Sequence, residues 1–230
     1  MARTVCCFPL FGVALIGVIS GRAAGISLTD MSRFDLMNAQ VETTTYHGRK
    51  ALKMTEKEAA PGNAFAILKD VPFHDGVIEL EVSGAPSKTA DPTARGFIGI
   101  LFRMKEGGSQ AECFYLRPSN GRAGDQLARN YSVQYVSPPE WSWRRLREET
   151  PGQYESYADM QPGEWTRMRI VVHGKEAALY VGGAQQPCLI VKDMKRGDSQ
   201  GAVALWIGPG TEGYFRELTI TPASTGKGPH

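Results

Sequence analysis

The amino-acid sequence predicts an all-β domain made of two packed antiparallel sheets. Roughly a dozen short segments alternate apolar and polar residues as half-buried strands do, and turns containing Gly or Pro separate them. Beyond the N-terminal segment, no stretch offers three turns of an amphipathic helix. Strands that follow one another without intervening helices favour a sandwich over a helix-covered sheet.

The first 24 residues are predicted to be a secretory signal. Arg3 precedes an uncharged run from Thr4 to Gly21, and small residues follow it at positions 23–25. A retained N-terminal anchor is the alternative, although Pro9 and the glycines make the run a poor membrane-spanning helix. We therefore expect a single domain over residues 25–222, a disordered tail over 223–230, and a secreted or periplasmic protein without stable membrane insertion after signal cleavage.

Charge and cysteine content narrow the classes of partner and the redox chemistry. Loss of Arg3 and Arg22 with the signal would bring the 26 basic residues level with the 24 acidic ones. A neutral domain argues against nucleic acid as a partner, because phosphate recognition needs a basic face. Cys113 and Cys188 could form a disulfide in an oxidising compartment, but bridge geometry is demanding and two separate thiols are the favoured interpretation.

The predicted strands can be placed along the chain from the alternation alone. In the segment 77–82, Ile78, Leu80 and Val82 face one way and the intervening glutamates the other. By the same parity Leu205 points into the core and Trp206 away from it. Residues 83–94 are predicted to be a loop, and 141–149 a short helical turn. The strands are expected at 43–46, 51–55, 64–69, 77–82, 97–102, 113–116, 132–136, 165–172, 177–181, 188–191, 201–207 and 214–221.

The segment 95–135 is the strongest candidate for a ligand-binding site. Its two apolar runs, joined by a Gly-containing turn, predict a long β-hairpin. A loop of amides and guanidinium groups then follows, with Arg117, Asn120, Arg122, Asp125, Gln126, Arg129 and Asn130. A rigid hairpin that presents such a loop would suit a polar ligand that is uncharged or weakly acidic. An ordinary solvated loop is the equal alternative, because most loops are polar.

Two later segments carry a family resemblance. PGEWTRMRIVVHGKEAALYVGGAQQP and GAVALWIGPGTEGYFRELTITP resemble the C-terminal half of concanavalin A-like lectin/glucanase domains, including laminin G-like modules. The hairpin GFIGILFR…ECFYLRP resembles that of bacterial 3-keto-disaccharide hydrolase-type domains. The resemblance covers most of residues 26–222 and implies a concanavalin A-like antiparallel β-sandwich, or jelly roll.

The function that the resemblance implies stays open among three classes, because this fold hosts many activities. The first is a secreted carbohydrate-binding domain that recognises a glycan on its concave sheet face. The second is a glycoside hydrolase or lyase acting on (3-keto-)disaccharides, and the third is a structural or adhesive protein-binding module. The second hairpin strand, with Cys113, Tyr115 and Arg117 on one face, departs from the Glu and Gln alternation of the relatives. No catalytic or metal-binding residue of theirs is therefore carried over.

A sugar-binding face is predicted from residue chemistry and strand parity. Sugar rings stack on aromatic side chains and hydrogen-bond to amides and charged groups. Trp206 should emerge from the sheet, although Trp206, like Trp141 and Trp143, could simply cover the sandwich edge. The predicted ligand-binding residues are Arg103, Tyr115, Arg117, Asn120, Asp125, Gln126, Arg129, Gln134, Trp141, Trp143 and Trp206.

Catalytic and metal chemistry find less support in the sequence. The paired carboxylates of glucanases are missing as a motif, and only Asp125, Glu155 and Glu212 are candidate catalytic acids. The four histidines show no zinc-site spacing, so no metal or other cofactor is predicted, with a divalent metal expected only if the enzyme alternative holds. The run Arg144, Arg145 and Arg147, next to Glu148 and Glu149, is interpreted as a salt-bridged surface.

Overall fold

The computed structural model describes residues 24–57, 63–108 and 110–223. Residues 1–23 of the predicted signal, which ends at residue 24, and residues 224–230 of the predicted tail, which begins at residue 223, lie outside them. The described strands, numbered in chain order, are β1 Ala24–Gly25, β2 Phe34–Met37, β3 Ala39–Tyr46, β4 Arg49–Glu56, β5 Ala64–Leu68, β6 Gly76–Pro86, β7 Ile98–Met104, β8 Glu112–Leu116, β9 Val133–Val136, β10 Glu155–Ser156, β11 Thr166–His173, β12 Glu176–Val181, β13 Leu189–Val191, β14 Ala202–Ile207 and β15 Thr211–Pro222. Short helices lie at α1 Pro118–Gly121, α2 Gln126–Asn130 and α3 Trp143–Glu149.

These strands form two antiparallel sheets. The seven-stranded sheet has the order β10-β9-β8-β7-β14-β5-β2. The eight-stranded sheet has the order β13-β12-β11-β6-β15-β4-β3, and β1 pairs with β15 beside this path. The prediction of a concanavalin A-like antiparallel sandwich is confirmed. Within the described residues, no helix is long and apolar enough to cross a membrane.

The main core lies between the two sheets and follows the predicted alternation. Ile78 and Leu80 of β6 face Leu205 of β14 and Phe114 of β8 across the sandwich, in one cluster of buried side chains. Strands that present every second residue to this core produce the period of two read from the sequence. Burial of these side chains is the dominant stabilising contribution to the fold.

A second apolar layer covers the outer face of the seven-stranded sheet. Leu101, Cys113, Tyr115 and Ala204 form a separate buried cluster there, against which Trp206 and several half-buried side chains pack. The central strands β7 and β8 are therefore buried on both faces, which explains their continuous apolar runs. The thiols of Cys113 and Cys188 are free, as favoured from the sequence; Cys113 lies in this layer and Cys188 just before β13.

Two predicted loops contain regular structure. The segment 83–94 was expected to be irregular, but residues 83–86 continue β6 as far as Pro86 and pair with the start of β15. This pairing joins segments far apart in the chain, so local sequence does not reveal it. The polar loop after β8 contains α1 and α2. Asp125 caps α2, because its carboxylate accepts a hydrogen bond from the Ala128 N–H.

A β-bulge in β7 overturns the predicted position of Arg103. Leu101 pairs with Ala204 and Met104 with Ala202, so that two residues of β7 stand opposite one of β14. Arg103 is in the bulge and has a left-handed backbone, with φ 51°. Alternation alone would put its side chain on the outer face beside Tyr115. The bulge instead turns it into the fold, where its side chain has no exposed surface.

Candidate ligand-binding site

An aromatic groove crosses the outer face of the seven-stranded sheet. It encloses about 530 Å³, and its lining is mostly aromatic and aliphatic. Phe65 and Trp206 come from β5 and β14, Tyr115 from β8, and Trp141 and Trp143 from the segment around α3. The groove is lined by Asn63, Phe65, Phe97, Leu101, Cys113, Tyr115, Val136, Pro138, Pro139, Trp141, Ser142, Trp143, Trp206 and Pro209.

Gly99 allows the two central rings of the groove to approach each other. It lies in β7 directly between Trp206 of β14 and Tyr115 of β8 in the strand register. The Tyr115 and Trp206 ring centroids are 5.0 Å apart, with the planes at 59°. A Cβ atom at position 99 would lie 2.3 Å from the Phe114 carbonyl oxygen and 2.7 Å from Tyr115 Cα. The indole Nε1–H of Trp206 donates to Asn63 Oδ1 at 3.2 Å, which orients the ring.

A polar hollow adjoins the groove and is richer in charge. It encloses about 880 Å³ and shares Phe97, Trp143 and Pro209 with the groove. Asn120, Tyr131 and several hydroxyl-bearing residues line it. Its charged lining residues are Glu56, Asp91, Arg95, Arg117, Arg144 and Arg147. The two depressions therefore form one surface with an aromatic half and a polar half.

Arg117 joins the two halves. Its Nη2 donates to the Tyr115 hydroxyl at 2.7 Å and to Gln134 Oε1 at 3.1 Å, and its Nη1 donates to the Tyr131 carbonyl at 2.8 Å. Gln134 is held in turn by the carbonyls of Tyr135 and Tyr154. Burial raises the pKa of Tyr115 to about 12, so this residue stays a neutral phenol at physiological pH.

The α3 helix presents the far wall of the polar hollow. Ser142 caps the helix by accepting from the Arg145 N–H, and Leu146 anchors it in the core. Trp143 and Arg147 are four residues apart and therefore share a face of the helix. The Arg147 guanidinium stacks over the Tyr131 ring at 3.6 Å and binds the buried Glu155 carboxylate, with Nη2–Oε2 at 2.6 Å.

The sequence matches one described family over most of its length. The model of the 3-keto-alpha-glucoside-1,2-lyase-like domain family covers residues 31–221. The chain belongs to this family. No curated protein shows significant sequence similarity to it.

Solved structures with low sequence identity to this protein share its fold. The carbohydrate-binding module CBM66 from Bacillus subtilis superposes with a TM-score of 0.53 at 10% identity, covering 81% of this chain and 98% of the module. The VIP36 exoplasmic/lumenal domain, in its Ca²⁺/Man3GlcNAc-bound form, gives 0.54 at 9% identity, covering 86% and 89%. Peanut lectin gives 0.52 at 8%, covering 86% and 96%. At these identities the likeness establishes the fold.

Most of the predicted ligand-binding residues lie at the aromatic groove or the polar hollow. Tyr115, Trp141, Trp143 and Trp206 line the groove, and Arg117 and Asn120 line the hollow. Gln134 lies behind Arg117 as a support. Three residues of the polar loop, Asp125, Gln126 and Arg129, line neither depression; they cap α2, bond to Asn130 and contact Tyr157 respectively.

The candidate catalytic carboxylates are placed apart from one another. Asp125 is the α2 cap, and Glu155 is neutralised by Arg147. Glu212 belongs to the eight-stranded sheet, where Lys53 and the Tyr214 hydroxyl bind it. Sequence reasoning missed the two carboxylates that do line the hollow, Glu56 and Asp91. The only local signal was their position beside turns, and the pairing of distant strands brings them here.

The buried Arg103 organises a separate cluster at the other end of β7. His74, Asp75 and Asp198 lie close enough there to share a metal ion. Arg103 Nη2, however, binds Asp75 Oδ1 at 2.7 Å and lies 3.7 Å from Asp198, and the Gly174 N–H donates to the same Asp75 carboxylate. A fixed guanidinium inside the cluster opposes a cation, so these carboxylates act as anchors for Arg103.

A further hollow of about 460 Å³ lies on the opposite face of the sandwich. Glu79 and Arg167 line it and pair with each other at 3.0 Å. The Arg169 guanidinium covers the Tyr180 ring at 3.7 Å, so this ring is not open for stacking. The charged groups of this hollow therefore already contact either an opposite charge or the aromatic ring.

Proposed function

We propose that the aromatic groove binds a sugar ring of a glycan. The observation that carries the proposal is the pair Tyr115 and Trp206 on the outer face of a sheet, with ring centroids 5.0 Å apart. Trp206 is partly exposed beside the buried Tyr115, so the indole offers the accessible ring face. The C–H face of a pyranose is apolar and buries well against such rings. The adjoining hollow supplies guanidinium and amide donors for the hydroxyl groups. CBM66 and the mannoside-bound VIP36 domain, which share the fold, support this proposal as carbohydrate-binding proteins.

A glycan array tests the proposal most economically. The wild-type chain should bind a subset of immobilised glycans, and Trp206→Ala should weaken that binding about tenfold or more, because a central aromatic contact is lost. Lys50→Gln is the matched control, since Lys50 is exposed on β4 of the opposite sheet. Absence of binding to any glycan, with the chain folded by circular dichroism, would refute carbohydrate binding.

Cleavage of a 3-keto-glycoside is the second candidate function, and the family match favours it. A lyase of that description removes the proton at C2, which the C3 ketone acidifies, and expels the group at C1. The hollow offers Glu56 and Asp91 as carboxylates for proton transfer. Incubation with 3-keto-trehalose, with and without a chelator, should then release glucose. Glu56→Gln should abolish release, whereas unchanged turnover in that variant would exclude Glu56 as the base.

We further propose that the protein acts outside the cytoplasm. The charged start, uncharged run and small residues before position 26 support this location. Mass spectrometry of the native protein should find a mature N-terminus between Ala23 and Ser27. An intact Met1 in a soluble cytoplasmic fraction would contradict the proposal.

A further inference from the structure

The charge on Arg117 is buried without a balancing carboxylate. The residue is only 6% exposed, and its hydrogen-bond acceptors are a phenol, an amide and a carbonyl, all of them neutral. Among the described residues, no carboxylate forms an ion pair with it, unlike the neighbouring Arg147, which binds Glu155. A buried charge without a counter-charge is unfavourable, and proteins normally pair it.

Neighbouring charges do not supply the balance. Glu155 is fully engaged by Arg147, which contacts both carboxylate oxygens at 2.6 to 3.1 Å. Burial is the main cause that lowers the pKa of Arg117, and it outweighs the opposite effects of Tyr115 and Glu155; the positive charge of Arg147 acts in the same direction as burial. The Arg147–Glu155 pair thus adds no net negative charge, and the cluster around Arg117 keeps one excess positive charge.

Two more arginines add positive charge to the hollow. Arg144 is exposed, and within the described part of the chain its guanidinium lies over the Trp143 ring, at 5.5 Å, with no ion pair. Arg95 donates to the carbonyls of Pro92 and Ala94. In all, four arginines line the hollow against two carboxylates, and with Arg147 already paired with Glu155 three arginines remain against the two. Asp91, one of the two, is held by the N–H and hydroxyl of Thr93 at 2.7 and 2.5 Å.

We propose that the glycan bound by this site is acidic, and that Arg117 and Arg144 bind its carboxylate or sulfate group in the polar hollow. This inference rests on the proposed carbohydrate binding and narrows it to a substrate class. Hydroxyl groups of a neutral sugar could bond to the guanidinium groups but would leave their charge uncompensated. An oxyanion balances it and matches the planar fork of an arginine.

The geometry joins this anion site to the stacking surface. The groove and the hollow share Phe97 and Trp143, and Arg117 binds the hydroxyl of Tyr115, which itself lines the groove. A sugar ring stacked on Trp206, beside the buried Tyr115, can therefore extend its acidic substituent, or the acidic sugar next to it, towards Arg117.

An array of uronate-containing, sulfated and neutral oligosaccharides tests the inference with the full chain. The acidic members should dominate the bound set. The best acidic glycan is then compared by calorimetry with its own carboxyl-reduced or desulfated form, which identifies the group that matters. We expect the neutralised form to bind about tenfold or more weakly, and the affinity of the acidic form to fall as salt is added.

Variants locate the anion site. Arg144→Gln should lower the affinity for the acidic glycan several-fold and reduce its salt dependence, whereas Lys50→Gln, with the same change in charge on the other sheet, should not. Arg117→Lys keeps the charge but loses the fork, and it should also weaken binding; circular dichroism reports whether it folds.

The outcomes separate this inference from the function on which it rests. Equal binding of the acidic and neutralised forms overturns the acidic-glycan inference and leaves sugar binding intact. Wild-type affinity in Arg144→Gln places the anion elsewhere and also overturns it. Binding of no oligosaccharide at all overturns the proposed function itself.

Discussion

The two outer faces of this sandwich follow the same strand geometry and present opposite chemistry. On the eight-stranded sheet, outward residues form cross-strand ion pairs such as Arg167–Glu79 at 3.0 Å and Lys53–Glu212 at 3.3 Å. On the central strands of the seven-stranded sheet, most outward residues are apolar or aromatic. An antiparallel sheet can expose one face to water only if that face is polar. The apolar face is therefore the one on which we propose the site, and the face that carries the ion pairs is a solvated surface.

Substitutions at the inner and outer positions of β14 should give the largest difference in unfolding free energy. Leu205 points into the main core and has no exposed surface, so Leu205→Ala should cost about 2–5 kcal/mol of unfolding free energy. Trp206→Ala should cost clearly less, because Trp206 is partly exposed on the outer face. Urea unfolding of both variants measures this. Severe destabilisation by Trp206→Ala together with a silent Leu205→Ala would mean that the two faces are assigned the wrong way round.

Gly99 tests how closely the apolar face is packed. The new methyl group of Gly99→Ala would collide with backbone of β8, so the strands must shift, at a cost of about 1–3 kcal/mol. The shift also separates Tyr115 from Trp206, and glycan affinity should fall. Gly124→Ala is the control, because a methyl group at position 124 would meet no atom within 4 Å. Wild-type stability and binding in Gly99→Ala would show that the groove tolerates expansion and does not depend on this approach.

Substitutions on the ion-paired outer face of the eight-stranded sheet should have the smallest effect on stability and binding. The Arg167 side chain is 57% exposed and its Glu79 partner 29%, so Arg167→Gln should change the unfolding free energy by at most about 1 kcal/mol. Glycan binding should be unaffected. If this variant lost binding while Trp206→Ala retained it, the site would lie in the hollow on the eight-stranded sheet.

The difference between the faces was largely predictable where it depends on local pattern. Strand alternation placed Trp206 outward and Leu205 inward, because period two is a property of each strand by itself. The position of Arg103 could not be read in this way. A bulge depends on how β7 pairs with β14, and a single extra residue reverses the parity beyond it.

Long-range pairing explains the remaining errors. Glu212 is a candidate catalytic acid by sequence, but its strand β15 pairs with β6 and β4 in the other sheet. The arginine run of α3 was interpreted as one salt-bridged surface. Only Arg145 follows that interpretation, by pairing with Glu149, whereas Arg147 reaches Glu155 of β10 and Arg144 lies over Trp143. The direction of each side chain depends on which face of the helix packs against the sheet and on partners that the local sequence does not show.

The tryptophans provide the most direct test of which face binds. Of the four in the chain, Trp141, Trp143 and Trp206 line the groove. Trp165 lies by the eight-stranded sheet, against Tyr46 and Arg216. Each indole N–H gives its own nuclear magnetic resonance signal, which can be followed during titration with a glycan selected on the array. We expect the Trp206 signal, with those of Trp141 and Trp143, to shift while the Trp165 signal stays in place. A shift of Trp165 with the other three unchanged would contradict a binding site on the seven-stranded sheet.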